Sequence, residues 1–71
     1  MTITLTTPAG KVRSASARRY VLVRWFVDGG KPVVVKRSDS LETLVSIRRR
    51  AGFESAVRFM VFDSTTGEPV T

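Results

Sequence analysis

The chain has 71 residues, no cysteine and no histidine, and twelve Lys and Arg against six Asp and Glu, for a formal net charge of +6. This excludes disulfides, the commonest zinc sites and any mechanism built on a histidine base or a cysteine nucleophile. It also limits the chain to a single domain, residues 1–71, whose core must be small.

Scaffolds of this size commonly add a disulfide, a metal or a second subunit. Only the last suits this composition, so a homodimer is expected. The charge is uneven. Residues 1–52 hold eleven cations and three acids (+8), whereas residues 53–71 hold Arg58 against Glu54, Asp63 and Glu68 (−2). A positive surface of this kind attracts phosphate backbones or acidic proteins, although it also simply keeps a small protein soluble. No segment approaches the roughly 20 apolar residues of a membrane-spanning helix. The start, Met1 to Gly10, has neither the cationic region nor the apolar block of a signal peptide, so the expected location is the cytoplasm.

Taken in chain order, Thr2 to Thr6 alternates β-branched and apolar residues and fits a short edge strand. Pro8-Ala9-Gly10-Lys11 is a turn signal. Val12 to Ala17 has little to bury and reads as a mobile basic loop or the loose start of the next strand, so residues 1–17 are expected to form an edge strand plus a loop. The core is expected over residues 20–63. Tyr20 to Val27 is the clearest strand. It meets a second apolar run across Asp28-Gly29-Gly30-Lys31, and Asp-Gly and Gly-Gly are the pairs that two-residue hairpin loops favour. Strict alternation gives two faces. Val21, Val23, Trp25 and Val27 stand with Pro32, Val34 and Lys36, and this face is expected on the core. Tyr20, Leu22, Arg24 and Phe26 stand with Lys31, Val33, Val35 and Arg37 on the outer side.

A helix is expected from the Ser38-Asp39-Ser40 region to about Ala51. Asp39 with Glu42 resembles a capping box, Ser38 is the competing cap, and Gly52 is the left-handed C-terminal residue. Leu41, Leu44, Val45, Ile47 and Ala51 share one side of it. Arg48 lies within that stripe: either its stem packs while its head reaches solvent, or it faces a partner. Arg49 and Arg50 point outward, and all three arginines suit the negative end of the helix dipole. Val57 to Asp63 reads as a strand apolar on both faces. Residues 64–71 form a turn, with Gly67 in the left-handed region, and a tail that could pair briefly. The fold class is α+β, a small (β)ββαβ domain with an antiparallel hairpin sheet and one helix packed on one face.

An enzyme is not expected. The acids are scattered, the serines lack an activating partner, and Gly29-Gly30 does not open a helix as a phosphate-binding loop would. No metal site and no small-molecule cofactor is implied. Nucleic acid is the favoured partner: Arg24, Lys31 and Arg37 alternate with Tyr20 and Phe26, Arg18 and Arg19 extend the patch, and Arg49 and Arg50 add to it. Cations hold phosphates, and aromatics stack on unpaired bases. The alternative is a protein-interaction module, of the phage or mobile-element type of small regulator or inhibitor. Tyr20, Leu22, Phe26, Val33 and Val35 make the outer face too apolar for solvent alone, so a protein partner, a second copy or a chain terminus should cover it.

The order of strand, Asp28-Gly29-Gly30-Lys31 turn, strand and capped helix over Tyr20–Ala51 resembles the sheet-and-helix arm-binding domains of tyrosine recombinases. The resemblance lies in topology and carries no motif. It implies an exposed sheet that enters the major groove of DNA. The chain departs from that pattern in its added strand Val57–Asp63 and in apolar residues where that family is polar. It is an analogy and not membership.

Overall fold

The computed structural model describes residues 1–51 and 56–70. It contains strands β1 (Thr2–Thr7), β2 (Gly10–Ala15), β3 (Tyr20–Phe26) and β4 (Gly29–Ser38), helix α1 (Leu41–Arg50) and strand β5 (Val57–Asp63). β1 and β2 pair as one antiparallel sheet, and β4-β3-β5 form a second, also antiparallel, with β3 in the middle. The α+β class expected from the sequence is the class observed.

β2 replaces the expected loop. The turn at Pro8-Ala9 brings Gly10 opposite Thr7. There the Thr7 hydroxyl donates to the Gly10 carbonyl at 2.6 Å and accepts from the Ala9 N–H. Backbone pairing with β1 makes this segment a strand, although only Val12 and Ser14 lie on its inner side.

β3 and β5 are covered on both faces. On one face the β1–β2 sheet lies over them, and Leu5 joins Val21, Val23, Trp25 and Phe62 in a buried cluster flanked by Ile3, Val12, Val34 and Met60. On the other face α1 places Leu44 against Leu22 and Val61, with Tyr20, Leu41, Ile47 and Phe59 around them. The helix therefore packs on the Tyr20–Leu22 face and not on the Val21–Trp25 face. Leu22, expected on the outer side, is completely buried. The chain's own helix covers the face that called for a partner at Tyr20 and Leu22, whereas Phe26, Val33 and Val35 stay exposed. The open sheet implied by the recombinase resemblance is not present.

The β3–β4 hairpin has the expected two-residue loop, placed earlier in the chain, and is less regular than strict alternation predicts. Phe26 pairs with Gly29, so Val27 and Asp28 form the loop. Gly29 and Gly30, at φ of +141° and +91°, supply the positive φ on the return strand. Further along, Leu22 pairs with Lys36 but Val23 pairs with Val34, so Val35 is an extra residue in a bulge. A one-residue bulge reverses the facing of everything beyond it. Lys36 is thereby opposite Leu22 on the helix side, and Arg37 is opposite Val21 on the β1–β2 side.

Ser40, in extended conformation, caps α1 through its hydroxyl, which accepts from the Thr43 N–H. Neither Asp39 nor Ser38 is the cap. Ser38 instead accepts from the Ser40 N–H, and Asp39 binds the chain before β3. Gly52 lies outside the described residues. Beyond β5, Gly67 adopts φ +78°. The tail then runs back along the strand, Glu68 O accepting from the Asp63 N–H at 2.9 Å and Val70 N–H donating to Val61 O at 2.8 Å. Among the described residues no helix is long and apolar enough to cross a membrane.

Candidate nucleic-acid interface

The cations singled out by sequence fall at three separate places. Arg18 and Arg19 lie just before β3, at the end where α1 begins. Arg18 Nη1 is 3.2 Å from Asp39 Oδ2, and the Arg19 N–H donates to Asp39 Oδ1 at 2.9 Å. The Arg19 guanidinium lies 5.3 Å from the centre of the Tyr20 ring. The Arg19 backbone N–H and then the Arg18 guanidinium hold the Asp39 carboxyl below its usual range, so Asp39 stays ionised and offsets this basic corner.

Arg37 is on the opposite face from Arg24. It is half-buried, and its Nε donates to the Ser14 hydroxyl at 2.9 Å. Ser14 is itself buried on β2 and passes its own hydrogen to Ala15 O. Arg37 thus ties β4 to β2. It does not share a face with Arg24 as strict alternation predicts, because the bulge at Val35 has turned it over.

The third place is the hairpin-turn end of the sheet. Arg24 projects on the helix side, in register with Val33 of β4 and Phe59 of β5. Its guanidinium carbon stands 5.6 Å from the centre of the Phe26 ring, and its Nε is inaccessible to solvent with no hydrogen-bond partner among the described residues. A donor in that state costs free energy until it meets an acceptor. Phe26 is 44% exposed. Arg24 and Phe26, with Ala51, Val57 and Phe59, line an open groove of about 300 Å³. Ala51 directly follows the last helical turn, so Arg49 and Arg50, both exposed, are carried to this same end. Lys31, exposed at the start of β4, is here too. The arrangement is a cation and an aromatic ring at the wall of a mostly apolar groove, with further cations around it.

Of the residues expected to meet a partner or a second copy, Tyr20 and Leu22 are taken up by α1. Phe26, Val33 and Val35 remain 44%, 44% and 40% exposed. Two further cationic features lie outside these three places. Lys36 faces α1 across a polar groove of about 420 Å³ that also meets Arg50, Glu42 and the Ser40, Thr43 and Ser46 side chains. Lys11 and Arg13 are fixed on β2 opposite Thr6 and Thr4, giving an exposed ribbon face of threonines and cations. The alternation of Lys11 and Arg13 around Val12 is the one signal that could have found this ribbon. Among the described residues no three His, Cys, Asp or Glu side chains gather as a metal site. No protein-family model, curated protein or solved structure matches this chain.

Proposed function

We propose that this chain is a small basic nucleic-acid-binding protein, a regulatory or accessory factor that binds through the hairpin-turn end of its sheet. The observation that carries the reading is the pairing of Arg24 with the exposed Phe26 at the groove beside the helix end that bears Arg49 and Arg50. Cations there neutralise phosphates, while the aromatic ring offers a stacking surface. Arg18, restrained by Asp39, and Arg37, bonded to Ser14, take lesser parts.

Fluorescence anisotropy with labelled nucleic acid across a salt series tests this. Affinity should fall steeply with salt, each phosphate contact adding roughly −0.7 to −0.9 to the slope of log affinity against log salt. Arg49→Ala and Arg50→Ala should each make the slope shallower by about one contact, whereas Arg37→Ala should change it by less. Failure of both single- and double-stranded probes to bind at low salt rejects the function.

A second reading, a module that binds a protein partner or a second copy, is favoured by Val33 and Val35. Both are exposed on β4, which borders its sheet. Backbone pairing along that edge is blunted by Pro32, the bulge and Lys36, so the valine side chains would carry the contact. Co-purification of one protein in stoichiometric amount after nuclease treatment, lost in Val33→Asp, distinguishes this reading.

A further inference from the structure

We infer that the groove at Arg24 and Phe26 takes an unpaired nucleobase, making the chain selective for single-stranded over double-stranded nucleic acid. The inference rests on the nucleic-acid reading above and names the form of nucleic acid that this site takes.

Three observations lead to it. First, the β3–β4 hairpin is not a free two-stranded ribbon. The β1–β2 sheet covers one side and α1 the other, and β3 is paired on both edges. Insertion of the β3–β4 ribbon into a major groove, which needs a free two-stranded ribbon, is therefore blocked. Second, among the described residues the groove is lined by Phe26, Phe59, Val57 and Ala51, with Arg24 as the one charged side chain. A phosphate gains little from such walls, whereas a flat aromatic base gains stacking and burial. At about 300 Å³ the groove is at the small end of ligand sites and suits one planar group. Third, Arg24 stands at the wall of that groove, its guanidinium carbon 5.6 Å from the centre of the Phe26 ring. The guanidinium plane adds a second stacking surface. Lys31, Arg49 and Arg50 are at the same end to meet the flanking phosphates, which only a base carried on a strand provides.

The test uses the full chain, a labelled oligothymidine of about 12 nucleotides, which is within usual site sizes, and a duplex of the same thymidine strand. The wild type should bind the single strand more tightly. Phe26→Ala should weaken that binding roughly 5- to 150-fold, the cost of one lost stacked base, with an unchanged salt slope because no phosphate contact is lost. Phe26 is exposed, so the variant should fold, and circular dichroism checks this. Phe26→Trp should keep the affinity and show emission quenched by the oligonucleotide. Equal or tighter binding to the duplex overturns the inference, as does an unaltered affinity in a folded Phe26→Ala. Duplex preference that is lost in Arg13→Ala would move the interface to the β1–β2 ribbon, overturning the groove while leaving the nucleic-acid reading standing. Binding to neither probe ends both.

Discussion

Asp39 shows how one exposed carboxylate can order a junction. It follows the last residue of β4 and accepts from both the backbone of Arg19 and the side chain of Arg18. The approach to β3 is thereby pinned to the approach to α1. Asp63 plays a similar local part, accepting from the Thr65 N–H at 2.7 Å, and that bond is the main reason its carboxyl is also held low. A carboxylate whose folded pKa is depressed contributes stability above its unfolded value of about 3.9, and loses it as pH falls through the folded value. The side chain of Asp39 is 65% exposed, so water screens its share heavily. The melting temperature should therefore vary little with these groups between about pH 5 and 7, and fall below about pH 4. Asp39→Asn keeps an acceptor oxygen but has no proton to gain. Its melting temperature should drop only slightly at neutral pH and decline less on acidification. Thermal melts by circular dichroism at stepped pH decide this. An acid limb identical to wild type would show that the Asp39 carboxylate is not a source of it.

At the scale of the element, β3 decides the fold because it has no polar side. Val21, Leu22 and Val23 are all fully buried, in two different clusters. Leu22→Ala should therefore behave as a core truncation, costing roughly 2–5 kcal/mol. That is a large fraction of the stability of any small domain. Urea unfolding measures it, and a cost under about 1 kcal/mol, the level of a surface change, would contradict the packing of α1 on this face. The same property limits what can be read from the sequence. Strand β3, helix α1 and strand β5 are legible from alternation, the three-to-four spacing of Leu41, Leu44 and Ile47, and the turn residues between them. Which cover goes to which face is not legible, since a strand apolar on both sides accepts a helix on either. The bulge at Val35 is equally silent, because three consecutive valines pair in any register. That silence misplaces Lys36 and Arg37, whereas Arg24 and Phe26, two residues apart on β3, are legible as neighbours. The Arg18–Asp39 pair is 21 positions apart, and no local pattern predicts it.

At the scale of the whole molecule, the layers run β1–β2, then β4-β3-β5, then α1. Each of the two interfaces is small. One is centred on Trp25 and Phe62, and the other on Leu22, Leu44 and Val61. Neither is an independent core, because β3 and β5 contribute alternate residues to both. Detaching the β1–β2 layer would expose Val21, Val23 and Phe62 on strands whose other residues hold the helix. Arg37, bonded to Ser14, joins β4 directly to β2 as well. The two interfaces should thus be lost together. Two probes report on them separately. Trp25 is the single tryptophan and lies in the first interface. Helical circular dichroism reports α1, which builds the second. In urea, the red shift of tryptophan emission and the loss of the helical signal should have the same midpoint and the same slope, as a two-state transition requires. A helical signal lost at clearly lower urea than the emission shift would mean that α1 leaves while the β1–β2 layer stays docked. The shared strands would then be insufficient to couple the layers. Because the groove at Arg24 and Phe26 also draws on Ala51 at the end of α1, such uncoupling would mean that the proposed binding site is lost before the sheet beneath it.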